Sequence, residues 1–458
     1  MNRPSISSAG YLRFGLILVF AVHVFAQQTA IPPLSPNDVS WLFPPPTKIA
    51  DLDKLIAVRD LTAPNPGNST KRDPIWADAI FGQFVAIAAS SAAEIANTQN
   101  RLGLPRDAQS IDAWFVSGVR IDAGAPGLSP DIRAQFGQSP EIRLIIQPVT
   151  RSADGSVTVN DFAGHLIFDF LAGLDDPAQP GCLQRPKPDL VEFNKIVAEL
   201  AELRTKLASG QLCTNRVATS GALGIHPGLV DPTTAANVRA EMKAFLERHL
   251  SAARLNAMAL VGVPAEAASP WIFLSMRNFH PGEQPTLPTG GVVPVSSPTL
   301  DGTQVSEMLA PGAVPGVVPE PHANNLNKPT CKNAAVPTAN IPINNRNGSS
   351  TSALFANPPP SVAAVQQVLA VITDPTKSHF FNTDCVSCHT ETRRAMVLLN
   401  LVNFPGIAPA VLPPGDYTVR NFGWSPAIDG PIQGVVTRRT AAETDAVVGF
   451  INSQILNK

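Results

Sequence analysis

Five residues near the end of the chain, Cys385-Val386-Ser387-Cys388-His389, constrain it more than any other stretch. Two thiols separated by two residues can both reach one edge of a planar porphyrin from a single short turn and add to its two vinyl groups. The imidazole that follows then swings beneath the ring, where haem iron is commonly held by a proximal His. The pattern predicts that Cys385 and Cys388 anchor one haem c covalently and that His389 ligates its iron. A zinc site would need two further Cys or His ligands at suitable spacing, and the sequence holds no second C-x-x-C and no H-x-x-x-H. A thioredoxin-like pair would need a βαβ setting, which the flanking residues do not suggest. A disulfide or metal clip is the alternative.

Export is the second expectation. Arg3 and Arg13 lie ahead of the apolar run 14–25, and Val24-Phe25-Ala26 offers a cleavage site before Gln27, so residues 1–26 read as a signal peptide. The run is shorter than the roughly 20 apolar residues a membrane span needs. An uncleaved anchor is the other reading. Haem is attached to such motifs after export, so the two features support each other. They place the chain in the periplasm or at the cell surface of a bacterium, with no membrane span after cleavage.

Composition narrows the class further. Charged residues make up 15% of the 458, against about 25% in an average globular chain. Pro is abundant at 45 residues, while 44% apolar residues are enough to fill sizeable cores. The chain thus reads as loop-rich and folded. A net charge of −2 gives no reason to expect nucleic acid or an anionic membrane as a partner, and the redox partner protein is left unspecified. The length predicts two or three domains. Cys182, Cys213 and Cys331 remain, in a compartment that permits disulfides. A Cys182–Cys213 bridge would close a helical loop and stabilise it by about 3–4 kcal/mol, but any of the three pairings is possible.

Along the chain, residues 27–72 are Pro- and Asp-rich and read as extended surface. A long helix is predicted from Asp73 as N-cap with Pro74 at its first position, running to Leu102 before Gly103 and Pro105. Residues 141–150 read as a strand, 161–171 as either helix or strand, 189–209 and a stretch from Asp231 as helices, and 255–263 and 271–276 as strands. Residues 27–280 are therefore expected to form an α+β domain of unknown function. Residues 281–350, rich in Pro, Gly, Asn, Ser and Thr, read as a linker. His226 and His165 are isolated and read as structural. No G-x-S-x-G, H-E-x-x-H, P-loop or dinucleotide pattern occurs.

Beyond the linker, 361–373 has helical spacing, the C-x-x-C-H follows, 395–401 reads as a short helix, and a Pro-rich loop leads to a terminal helix over 441–456. Thr440 and Glu443 suggest a capping box at the start of that helix. Helix, haem motif, loop and terminal helix in this order resemble the class I cytochrome c domain. The resemblance covers about residues 361–458 and implies a small all-α haem domain, set at 351–458, whose first and last helices pack beside the haem while the haem edge exchanges electrons. Residues 27–350 carry no such resemblance.

The chain departs from that family at the sixth iron ligand, usually a Met from the loop before the last helix. After His389 the only Met is Met396, and no His follows. Seven residues span about 10 Å along a helix, which keeps Met396 on the proximal side. His379, Met276, His280, Met308 and His322 are the other ligand candidates, unless the iron is five-coordinate or holds water. Trp424 lies where a loop would cover the distal face, and could pack on the haem, bond a propionate or simply fill a core. Arg420, Arg438 and Arg439 could pair with propionates. The leading expectation is an exported monohaem cytochrome, an electron carrier more than a catalyst. The alternatives are a haem enzyme or sensor with an open iron, acting on peroxide or a small gas, and a surface- or partner-binding protein with an ancillary haem.

Overall fold

The structure is a computed structural model. It describes residues 32–82, 84–85, 104–125, 127–130, 132–133, 137–174, 186–212, 215–262, 272–277, 361–378, 385–414, 421–426 and 431–457. Cys182, Cys213, Cys331, His280, Met308, His322, His379, Arg420 and residues 281–350 lie outside these.

In chain order the elements are α1 (Pro36–Val39), β1 (Ser40–Leu42), α2 (Ile49–Leu52), β2 (Thr62–Asn65), β3 (Asn68–Pro74), β4 (Trp114–Ala125), β5 (Ser139–Arg151), β6 (Val157–Val159), β7 (Phe162–Asp169), β8 (Leu171–Leu174), β9 (Pro186–Pro188), α3 (Leu190–Ser209), α4 (Pro227–Val230), α5 (Ala235–His249), β10 (Leu255–Gly262), β11 (Ile272–Arg277), α6 (Val362–Thr373), α7 (Cys385–Leu399), β12 (Phe422–Ser425), β13 (Gln433–Val436) and α8 (Arg438–Ile451). Seven strands form one sheet in the order β1-β4-β5-β7-β10-β11, with β6 on the end of β5, and every pairing is antiparallel. The β4 and β5 strands are buried at most positions, including consecutive ones. A sheet with one wet face would instead alternate, so both faces at its centre are covered.

Packing explains several elements. An aromatic cluster of Trp76, Phe81, Phe84 and Trp114 meets largely edge to face, at centroid distances of 5.0–6.4 Å, the arrangement ring quadrupoles favour. Trp41 packs edge-on to Phe245 of α5. In α3, Asp189 caps the first turn by accepting the Glu192 N–H, and Gly210 closes the helix in the left-handed region. No described helix is long and apolar enough to cross a membrane.

Two sequence expectations change here. Residues 27–72 are not all surface: Trp41, Leu42 and Phe43 are fully buried, and β1 forms the sheet edge beside β4. The helix expected from Asp73 starts at Asp78, because 68–74 pairs with β2 and carries Pro74 opposite Thr62. Residues 86–103 lie outside the described range.

The described residues on both sides of the 281–350 segment belong to one unit. The α6, α7 and α8 helices pack on one another, and α8 also packs on α1 and β4. The segment expected to be all-α contains the β12–β13 ribbon, laid over β4 and β5. Gly423 permits that approach: its φ is +144°, and a Cβ there would stand 2.6 Å from the Gln147 Oε1. Further links are reciprocal. Leu34 N donates to Asn452 Oδ1 (2.8 Å) while Asn452 Nδ2 donates to Leu34 O (2.9 Å). Leu223 N donates to Gly406 O, and Ala408 N to Leu223 O.

Candidate haem-attachment site

The C-x-x-C-H stands at the head of α7, where a single helix runs Cys385–Leu399 in place of the short 395–401 piece expected from the sequence. Positions i, i+3 and i+4 share one helix face, so Cys385, Cys388 and His389 lie on the same side of the first turn. Cys388 is a thiol, and it and His389 are half-buried, with Cys388 at the border of the main core. The helix ends at Asn400, which takes a φ of +53°, while Leu401 N donates back to Ala395 O. This is a left-handed stop with an i−6 bond, made by the non-glycine residue best able to adopt it.

Behind the motif, α7 holds the start of α8. Arg438 N donates to Thr392 Oγ1 (2.8 Å) and Arg439 N to Glu391 Oε1 (3.1 Å). Thr437, not Thr440, is the N-cap, its side chain accepting from Thr440 N. The buried side chains of Glu391 and Thr392 thus occupy the place where orphan amides and the positive end of the helix dipole favour oxygen and negative charge. The Thr392 hydroxyl also bonds Glu391. Burial pushes the Glu391 carboxyl above its ordinary range, against the pull of Arg438.

A charged chain leads from here into the sheet. Arg439, 4% exposed, donates from Nη1 to Ile372 O (3.0 Å) and from Nε to Glu443 Oε1 (2.7 Å). Glu443 Oε2 accepts from Arg120 Nη2 of β4 (2.8 Å). Despite burial, the two guanidiniums hold the Glu443 carboxyl down to about 2. Among the described residues, no group of three or more His, Cys, Asp or Glu side chains is placed to hold a metal ion.

The other sequence candidates fall in separate places. Met396 sits on α7 with the motif, two turns past His389, half-buried against the core. Met276 lies on β11, opposite Met258 of β10. Trp424 is fully buried, and its indole N–H donates to Phe43 O (2.8 Å), so that donor is engaged by the protein itself. Its backbone is clamped by Gln147, which accepts from Trp424 N (2.6 Å) and donates to Trp424 O (2.9 Å). Arg438 lies over the Phe404 ring, and Arg439 is buried rather than solvated. His226 is structural: its Nδ1 accepts from Gly228 N (3.1 Å), and burial lowers it to about 4.

Sequence reasoning missed Glu391, Arg439, Glu443, Arg120, Asp122, Glu141 and Arg143 as a set. The signal was present as charges alternating with apolar residues in Val119-Arg120-Ile121-Asp122 and Glu141-Ile142-Arg143-Leu144. Such alternation ordinarily marks a wet face; here α8 covers it. No family model, no curated protein and no solved structure matches this chain.

Proposed function

We propose that this chain is an exported monohaem c-type cytochrome, with haem c bound through Cys385 and Cys388 and its iron ligated by His389, and that it carries single electrons to or from a partner protein. The observation that carries the reading is the donor set itself: Cys385, Cys388 and His389 at i, i+3 and i+4 of one helix, with Cys388 and His389 half-buried and Cys388 packed against the core. When bound, the haem supplies a one-electron couple at iron. The residues around the motif give a rigid mounting. Glu391 and Thr392 fix α7 to α8, and Arg439 fixes α8 to α6 through the Ile372 carbonyl. Such a mounting keeps reorganisation small between the two charge states.

A second reading follows from Met396. It shares the helix that carries His389 and packs against the core, so this chain would supply no obvious sixth ligand from its own loop. An open or weakly held sixth position suits a small gas or peroxide. The full chain, matured in a host competent for cytochrome c assembly, separates the readings. A pyridine haemochrome of the two-thioether type supports haem c. A reduced low-spin spectrum unmoved by carbon monoxide then supports electron transfer, and a carbon monoxide shift supports the open-iron reading. A colourless protein contradicts both.

A further inference from the structure

Strand register sets up an unusual row of charge. Asp122 of β4 lies directly opposite Glu141 of β5, and Glu141 lies opposite Asp169 of β7. Like charges directly opposite on a sheet are unfavourable, and Glu141 is only 4% exposed. The two nearby cations pair with carboxylates other than Asp122. Arg143 donates to Glu141 Oε1 through Nη2 (2.6 Å) and Nε (3.1 Å), and Arg120 donates to Glu443 (2.8 Å). Asp122 is left with one backbone donor, the Gly124 N–H at 2.8 Å.

The same Arg120 begins a path of alternating sign. Arg120 pairs with Glu443, Glu443 pairs with Arg439, and the Arg439 amide is held by Glu391 of α7, the helix that carries Cys388 and His389. These residues therefore join the strand of Asp122 to the helix of the haem motif. We propose that Asp122 is a proton-binding site whose occupancy is linked, through Arg120, Glu443 and Arg439, to the charge of the iron held at His389. This inference rests on the haem reading above.

The step balances simply. If haem is bound at Cys385, Cys388 and His389, it would supply a one-electron Fe(III)/Fe(II) couple, with the electron coming from a one-electron donor protein and no bond broken in this chain. A solvent proton then adds to the Asp122 carboxylate and forms one O–H bond, offsetting the added negative charge. Oxidation reverses both. The groups facing Asp122 are Arg120 on its own strand, Glu141 and Arg143 from β5 and Glu443 from α8, with Asp169 of β7 beyond Glu141. Burial, then the Glu141 carboxylate, raises Asp122 to about 6 against the Gly124 N–H and Arg120, so the proton exchanges near neutrality.

The test is redox titration of the full haem-loaded chain from pH 4.5 to 8, wild type beside Asp122→Asn, after a pyridine haemochrome assay. In the wild type the equilibrium constant for reduction falls several-fold as pH rises through about 6 and levels off on either side; in Asp122→Asn it stays flat. A flat wild type, or a step that persists in Asp122→Asn, overturns the inference while leaving the haem reading intact. Absence of haem overturns the reading and the inference together. Should Asp122→Asn not fold, redox-difference infrared spectra of the wild type at pH 6 decide. A carboxylic acid band gained on reduction supports the site, and its absence overturns it.

Discussion

Replacing Trp424 with Phe tests whether the segment that carries the C-x-x-C-H motif and the sheet unfold together. Trp424 is fully buried, and its indole N–H is satisfied by the Phe43 carbonyl at 2.8 Å. Phe keeps a ring but no donor, so a buried carbonyl loses its partner, at about 1–3 kcal/mol. The lost half of the indole removes apolar contacts and leaves a partial cavity, at about 1–2 kcal/mol. The sum is about 3 kcal/mol, smaller if water enters. Because Gln147 of β5 clamps the Trp424 backbone on both sides, that loss is expected to fall on the sheet as much as on the haem segment. Urea unfolding followed by haem absorbance and by far-ultraviolet circular dichroism should give one transition with both probes, shifted down by the same amount. An unshifted midpoint, or a haem transition that moves while the sheet transition stays at its wild-type position, refutes the reasoning.

Two further substitutions probe the mounting. Glu391→Ala strips the acceptor from the Arg439 amide and leaves buried polar groups unpaired, and is expected to cost about 2–3 kcal/mol. Glu391→Gln keeps an acceptor oxygen and should cost less than about 1 kcal/mol; equal losses in urea unfolding would contradict the capping role. For His226, burial depresses the folded value to about 4 from 6.5. Its stabilisation is therefore complete above about 6.5 and is lost as pH falls from 6.5 through 4, by up to about 3 kcal/mol. His226→Asn keeps an acceptor for the Gly228 N–H but does not titrate, so its stability profile should be flatter over that window than the wild type's. Parallel profiles would show that His226 takes no part in acid unfolding.

The readable parts of the fold were those with local causes. The α3 helix announces itself through Asp189 at one end and Gly210 at the other, and the β-branched run in β5 marks a strand on both faces. The C-x-x-C-H motif needs no context to suggest its chemistry. What could not be read depended on distant partners. Pro74 suits the first turn of a helix or the end of a strand equally well, and pairing with Thr62 decided for the strand. Ser40-Trp41-Leu42 is too short a run to stand out among prolines, and becomes an edge strand because β4 lies beside it. The carboxylates and arginines of β4 and β5 look like a wet face until α8, over 300 positions away, is laid on them through Glu443 and Arg120. Trp424 by its sequence suits a haem or a core equally, and its bond to the Phe43 carbonyl depends on a partner 381 positions away.

Tethering of the porphyrin is settled most directly by the mass of the peptide spanning Cys385 to His389, cut from chain matured with haem available and then denatured in acid. Two thioethers keep the haem on that peptide through denaturation, and a Cys385→Ala, Cys388→Ala double variant loses it. An unmodified peptide, or one whose only change is the loss of two hydrogens to a Cys385–Cys388 disulfide, would contradict the function proposed for this chain.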